Sequence, residues 1–514
     1  MYQLLGKLQS ISIAKLQICI VLVSALVAAQ VQYIQHGWIN PDSILYLESA
    51  KLFATGQWKA GFELFPWPLY SLCISATHII TSLNIHQSAQ LLNVLFFSFS
   101  TYAFITIIVQ CGGKQIEVIA GALIFLCAPY AVGTVLEMLM RDEGFWAFFL
   151  IGLLYFIRFY QHQKLTDALI WQVAIILATL FRIEAILYLI LLPLTFCFGS
   201  NTPVVIKAKL ITQAYCVQLA IGLSIIAALL LNDHFSKVML GRLNEIFTPE
   251  LLHNFTNMLF SKSQIMSEQV LGKFLAEYAL PSLILTLIYV MLIKAINATG
   301  LINIALAFFA IRHRTSLLEH KSFEVLVSAS FIAILNMALI ITKVFVLSGR
   351  YVLALSFILM ILASFYLACL IQKLSTQSKW TLRVLVGVIV LVMCITLIKN
   401  ILPKKDGYNY MQDAINWLKT ENTTNSPVYY NEARLRYFAG EPYIGKWDDN
   451  LVVLRHALNT NEVSNHEILA LAISDKHLNQ DGLPDKRLAN YREIRRFSDV
   501  KKHKHVIIYK KYKH

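Results

Sequence analysis

Along residues 1–400, long apolar runs alternate with short polar connectors. A run of about 20 apolar residues is the length a helix needs to cross the roughly 30 Å hydrocarbon core of a bilayer. The pattern predicts spans at about 13–34, 88–110, 116–136, 144–160, 211–231, 323–346, 350–372 and 380–398. A shorter pair, 168–182 and 184–199, meets at Arg182-Ile183-Glu184. Residues 279–311 are interrupted by Asn297, Thr299 and Gly300, and loop parity makes them one net crossing. Residues 67–83 are apolar but short and broken by Ser71, Ser75, Thr77 and His78, which predicts a juxtamembrane helix lying in the outer interface. The first run is too long for a cleaved signal and is kept as a span. The expectation is a polytopic α-helical membrane protein with about eleven spans, or twelve to thirteen if 67–83 and 279–311 cross more fully. Residues 1–400 then form the transmembrane catalytic domain, with outer loops 34–87 and 232–278.

From residue 401 the pattern changes. Residues 401–514 carry 14 of the chain's 30 acidic residues and no run long enough to span. GYNYMQDAINWLKTEN has Met411, Ile415 and Leu418 on one helical face, and PVYY, ILALAIS and HVIIYKK read as short strands. A small extracytoplasmic α/β domain is predicted for 401–514. The basic run KRLANYREIRRFSDVKKHKH reads as a solvated face, with attraction to anionic head groups as the lesser alternative.

Composition agrees with the pattern: the chain is 57% hydrophobic and 14% charged, with a mean hydropathy of +0.59. Its formal charge of +14 invites a nucleic-acid partner. The distribution removes that reading. With a cytoplasmic N-terminus, the inner loops hold Lys7, Lys15, Lys114, Arg158, Lys164, Lys207, Lys209, Arg312, Arg314, Lys321, Lys373 and Lys379 against Asp167 and Glu319. That is the positive-inside bias of an integral inner or plasma membrane protein, and it puts the C-terminus outside. The eight cysteines lie in or beside apolar runs without CxxC or Cys/His spacing, so no disulfide framework, zinc site, other divalent metal or cofactor is indicated.

Polar residues at membrane depth are costly, and each is a functional candidate. The stretch His36 to Tyr70 places acids, aromatics, three glycines and three prolines directly after the first span. In it Asp42 follows Pro41 at the start of a helix, DSILYLESAKLFATG, so it is either an N-cap or a functional carboxylate. Four groups fall near one face in the predicted topology: Asp42, Glu48 and Glu63; Arg141, Asp142 and Glu143; Arg182 and Glu184; and Lys343 with Arg350. Arg182 and Glu184 are two apart and do not face each other on a helix, so each is expected to pair elsewhere or to end the span. Acids and cations at one side of a bundle suit a site that holds an anionic head group and uses a carboxylate as a base.

These residues resemble the C-type glycosyltransferases, polytopic enzymes that use polyprenyl-phosphate sugars, such as protein O-mannosyltransferases and lipid A aminoarabinose transferases. PDSILYLESAKLFATGQW followed by FPWPLY is similar to the family's first outer loop: Asp42 matches its first acid, Tyr46 its tyrosine, Gly56 its glycine, and Pro66 to Tyr70 its Pro-Pro-Leu-Tyr-like element. Ser43 stands where the family has a second acid. MRDEGFWAFFL resembles the second outer loop, with Asp142 or Glu143 as its acid. FRIEAILYLILLPL resembles an Arg-x-Glu junction, and GRYVLAL an Arg-Tyr element that opens a late span. The resemblance implies inverting transfer of a sugar from a polyprenyl-phosphate donor to an acceptor hydroxyl at the outer face. Asp42 is then the general base, with Asp142 and Glu143 also catalytic. Arg350, Arg182 and Lys343 bind the donor phosphate, and Tyr46, Glu63, Tyr70, Arg141 and Tyr351 contact substrate. The partners implied are the lipid-linked donor, a glycan, lipid or protein acceptor, and membrane lipids.

Two rivals place charges differently. A lipid or solute transporter lines a path across the membrane with midplane charges and paired broken helices, whereas the charges here cluster at outer span ends. A lipid-linked oligosaccharide polymerase or ligase lacks the early Asp-led loop.

Overall fold

The computed structural model describes residues 10–34, 39–198, 203–231, 251–376, 379–402, 409–423, 426–445, 450–479, 482–499 and 503–512. The head of the polar stretch (35–38), the first part of the 232–278 loop and part of the basic run (500–502) lie outside the described residues. In chain order the helices are α1 (Ile13–Ile34), α2 (Pro41–Ala54), α3 (Trp58–Leu64), α4 (Leu69–Thr81), α5 (Ile85–Gln110), α6 (Gln115–Leu126), α7 (Asp142–His162), α8 (Leu165–Phe181), α9 (Ile183–Phe198), α10 (Val204–Leu231), α11 (Leu251–Met266), α12 (Ala279–Thr299), α13 (Leu301–Arg312), α14 (His320–Val344), α15 (Leu353–Thr376) and α16 (Trp380–Ile401). The C-terminal region adds α17 (Tyr410–Glu421), β1 (Val428–Tyr430), α18 (Ala433–Ala439), α19 (Asn450–Asn459), β2 (Ile468–Ser474), β3 (Tyr491–Asp499) and β4 (Lys504–Lys511).

Eight helical stretches among the described residues are long and apolar enough to cross a membrane, so this is a polytopic membrane protein. Contacts divide the chain into two compact units. One comprises 1–29, 91–136 and 141–401; the other comprises 30–90, 137–140 and 402–514.

The first unit is a helical bundle. α7 and α15 are its most buried members, and their large side chains interlock: Phe125 lies 5.5 Å from Phe357, Trp146 5.5 Å from Phe357, and Phe156 5.0 Å from Trp171. By contrast α1, α10, α12 and α16 turn Leu26, Leu223, Leu285 and Leu391 outward, each more than half exposed. Exposure of that kind along whole helices is what a hydrocarbon solvent allows and water penalises.

Two predicted spans are broken. The run at 116–136 is helical only through Leu126. Pro129 has no N–H to give and pushes Ala128 out of helical geometry, and the chain resumes as a π-turn at Ala131–Val135. The run at 279–311 divides into α12 and α13 at Gly300, whose φ of 86° suits glycine.

In the second unit, α2 and the first turn of α5 pack against the tail. His86 Nδ1 lies 2.9 Å from the Tyr437 hydroxyl, and the Lys51 ammonium sits 5.9 Å from the same ring. Residues 67–83 supply the 13-residue α4, which buries Tyr70, Ser71, Ile74 and Ser75.

The tail forms a four-stranded sheet of order β1-β2-β4-β3, with β1 parallel to β2 and the other pairs antiparallel. Strand side chains alternate between faces. Ala470, Val506 and Ile508 therefore pack on Met411, Ile415 and Leu418 of α17, while Leu469, Leu471 and Ile507 pack on Leu454 and Ala457 of α19. The basic run becomes β3, an edge strand with Arg492, Arg495 and Arg496 exposed, the charged edge that discourages pairing with another chain.

Candidate functional site

α7 begins at Asp142, and that carboxylate is buried at 1% exposure. It reaches α8 because Gly144 leaves room: a Cβ there would lie 2.4 Å from the Phe181 ring. Just beyond Phe181 the chain stops being helical. Arg182 is extended (φ −143°, ψ 119°) and a 3₁₀ turn, Ile183–Ala185, follows.

That break corrects the expectation for this pair. Helical spacing separates residues two apart, but an extended residue followed by a tight turn does not. Arg182 Nη2 lies 3.3 Å from Glu184 Oε1 and its Nε lies 3.4 Å from Oε2. Arg182 Nη1 also donates to Asp142 Oδ1, so one buried guanidinium spans both carboxylates.

The third component comes from the far end of the sequence. Gly349 opens a 3₁₀ turn, Gly349–Val352, that leads into α15. Arg350 in that turn brings Nη1 to 3.7 Å from Asp142 Oδ2. Its neighbour Tyr351 lies under the Arg182 guanidinium at 4.4 Å, and Phe145 sits at 5.9 Å. Asp142 is thus bracketed by two arginines contributed by segments 40 and 208 residues away.

Burying charges is tolerable only when they are paired with good geometry. Here two guanidiniums meet Asp142 and Glu184. Glu143 differs: it is fully buried, and neither carboxyl oxygen has a hydrogen-bond partner among the described residues. Arg141 is half-buried at the residue before α7. Lys343 is exposed in the last turn of α14. Arg350, with 22% of its side chain exposed against 5% for Arg182, is the more open of the two arginines on Asp142.

Gly349 is held to glycine by a close approach, since a Cβ would fall 2.5 Å from the Tyr130 ring. Gly349→Ala should cost about 1–3 kcal/mol of stability by overpacking beside Arg350. Tyr130→Leu in the same background should recover part of it. Thermal melting of the purified variants measures both effects.

The remaining predicted residues belong to the second unit. The helix cap is Asn40, not Asp42: Asn40 Oδ1 accepts the Asp42 N–H at 2.9 Å, with Pro41 at the first helical position. Asp42 is half-buried in the first turn. Its charge and that of Glu48 add to burial in pushing up the pKa of the Tyr443 hydroxyl. Ser43, where the resemblance has an acid, is fully buried and points to Met140 Sδ at 3.7 Å.

Tyr46 meets Phe65 edge-on at 5.1 Å and Tyr70 at 5.6 Å, a buried aromatic trio joining α2 to the start of α4. Glu63 does not join them. It is 68% exposed and lies 3.9 Å from Lys59 on the outer face of α3. A cavity of about 760 Å³ opens beside Pro41, with Glu432, Arg434, Asp475, His477 and Lys504 among its lining residues. Of these only Lys504, in the basic run, stands out in the sequence; the others reach one wall from separate elements of the tail.

Comparison with solved structures gives the fold: it is that of the C-type membrane glycosyltransferases. One similar structure is ArnT from Cupriavidus metallidurans in the apo state, at TM-score 0.51 and 14% identity, covering 97% of this chain and 98% of that one. Another is the archaeal oligosaccharyltransferase AglB from Archaeoglobus fulgidus, in complex with an inhibitory peptide and a dolichol-phosphate. It aligns at TM-score 0.54 and 9% identity over 96% of this chain and 74% of that one. No protein-family model and no curated protein sequence matches the chain.

Proposed function

We propose that this protein is an inverting membrane glycosyltransferase that moves a sugar from a polyprenyl-phosphate donor to an acceptor hydroxyl. The observation that carries the reading is Asp142 buried between Arg182 and Arg350 in a chain with this fold. Paired guanidiniums match the oxygens of a phosphate as they match a carboxylate. AglB, which shares the fold, has been captured with a dolichol-phosphate, and that supports a lipid phosphate as the donor's leaving group here.

In the proposed step Asp42 accepts the proton of the acceptor hydroxyl as its oxygen attacks the anomeric carbon. The bond from that carbon to the phosphate oxygen breaks on the opposite side, and polyprenyl phosphate leaves with the bonding electrons. The leaving group needs positive charge and not a proton, and Arg350 supplies it, with Lys343 as a further cation. Arg182 is engaged by Asp142 and Glu184, so its role is to hold Asp142 and the floor of the phosphate site. Asp142 orients Arg350 through the 3.7 Å contact. The acceptor can be a glycan, a lipid or a protein.

The test is a screen of polyprenyl-monophosphate sugars with the purified protein, reading released polyprenyl phosphate. Release from at least one donor, abolished by Arg350→Ala, is expected. No release from any monophosphate donor, with turnover of a diphosphate-linked oligosaccharide instead, would move the protein to the polymerase or ligase class.

The N-terminus is proposed to be cytoplasmic and the tail extracytoplasmic, from the charge bias. Cysteines placed at Lys59 and Lys419 should both react with an impermeant thiol reagent added outside intact cells. Labelling only after the membrane is opened would reverse the orientation.

A further inference from the structure

The first unit has a cavity of its own, at the end of α7 far from Asp142. Tyr160 lies 18 residues beyond Asp142, about 27 Å along the helix at 1.5 Å per residue. There α7, α9 and α14 enclose a space of about 640 Å³. Its walls are Leu191, Leu194, Phe198, Val327, Phe331 and Ile332, and the exposure of Phe198 (83%) and Phe331 (66%) shows that it opens sideways, where hydrocarbon surrounds the bundle. Its mouth is polar: Arg314, His320, Glu324 and Tyr160 stand around it.

We propose that this cavity binds an anionic phospholipid, with one acyl chain between α9 and α14 and its phosphate at Arg314. The apolar walls and the sideways opening call for a chain rather than a free anion or a soluble solute. The sign of the head group follows from how the rim charges are engaged. Glu324 accepts the Tyr160 hydroxyl at 2.8 Å and has His320 Nδ1 at 3.5 Å. Glu319, nearby on the same connector, accepts from Ser322 N at 2.6 Å and Gln161 Nε2 at 3.0 Å. Both acids are thus satisfied by protein donors.

Arg314 is placed differently. Its guanidinium lies 5.0 Å from the Phe323 ring, and among the described residues no carboxylate pairs with it. Arg312, at the end of α13, and Lys321, in the first turn of α14, are exposed on either side of it. Stacking on Phe323 fixes the cation over the cavity mouth and leaves its N–H groups for a phosphate. Basic pockets between membrane helices are suited to anionic head groups, each Arg or Lys near the surface strengthening attraction by roughly fivefold.

Native mass spectrometry of the full-length protein in detergent tests this, with phosphatidylglycerol, phosphatidylethanolamine and undecaprenyl phosphate as probes. Phosphatidylglycerol should remain bound at roughly fivefold lower concentration than phosphatidylethanolamine. Arg314→Gln should erase that preference, and Val327→Trp, which fills the cavity, should weaken phosphatidylglycerol binding outright. If the tryptophan variant melts early, Ser328→Leu at the same wall replaces it. Equal retention of the two phospholipids by the unaltered protein overturns the proposal. So does a preference that survives Arg314→Gln, or undecaprenyl phosphate displacing phosphatidylglycerol from a site that Val327→Trp closes.

Discussion

Asp42→Asn should lower sugar transfer by roughly 100-fold or more while leaving the protein folded. The structure sharpens this test, because Asn40 caps α2 and the helix start does not depend on residue 42. What asparagine removes structurally is a first-turn charge on the helix dipole, about 0.3–1 kcal/mol. What it removes chemically, on the proposed mechanism, is the proton acceptor, and a 100-fold loss is about 2.7 kcal/mol in the barrier. The two effects differ in size and in readout. Transfer rate and binding of a polyprenyl-phosphate sugar, measured on the same variant, separate them: turnover should fall while donor binding persists, since on the proposed mechanism cations hold the phosphate. A variant that binds and transfers like the unaltered protein would leave Asp42 with only its electrostatic effect on the helix.

Arg182→Ala should be among the most destabilising single changes in the bundle, at about 3–5 kcal/mol. The reason is not the loss of one attractive pair. The change leaves Asp142, at 1% exposure, without its buried partner, and releases Glu184 as well. Removing both ends of the pair is then milder than removing one, so Arg182→Met with Asp142→Leu should melt above Arg182→Ala. Thermal unfolding of the three purified proteins gives the order. An Arg182→Ala protein as stable as the original would mean that the buried pair contributes nothing to the fold.

Much of the bundle was legible because a helix in hydrocarbon has to be apolar on every side, which writes its length into the sequence. The charged candidates stood out for the same reason: Asp142, Arg182 and Arg350 interrupt an apolar background at span ends. Their contact was not legible in detail. Arg182 and Glu184 meet only because the backbone is extended at one residue, and helical spacing carries no information about a break that short. The cap was readable in principle, since Pro41 at the first helical position points to the residue before it. β3 gave no strand signal because an edge strand with one buried end, Tyr491, and arginines elsewhere shows neither alternation nor an apolar run. The clustering of 30–90 with 402–514 could not be read along the chain at all, because 351 residues separate His86 from Tyr437, and only folding brings the ring and the hydroxyl together.

The buried Asp142–Arg182 contact has a consequence for how the chain enters the bilayer during synthesis. Asp142 leaves the ribosome 40 residues ahead of the guanidinium that neutralises it. An isolated α7 would carry Asp142 and Glu143 into the bilayer without the guanidinium of Arg182, and insertion of such a segment is disfavoured. Once α8 and Arg182 have emerged, the hairpin presents an ion pair instead of a bare charge. Membrane integration of α7 should therefore wait for α8, the two entering as one hairpin.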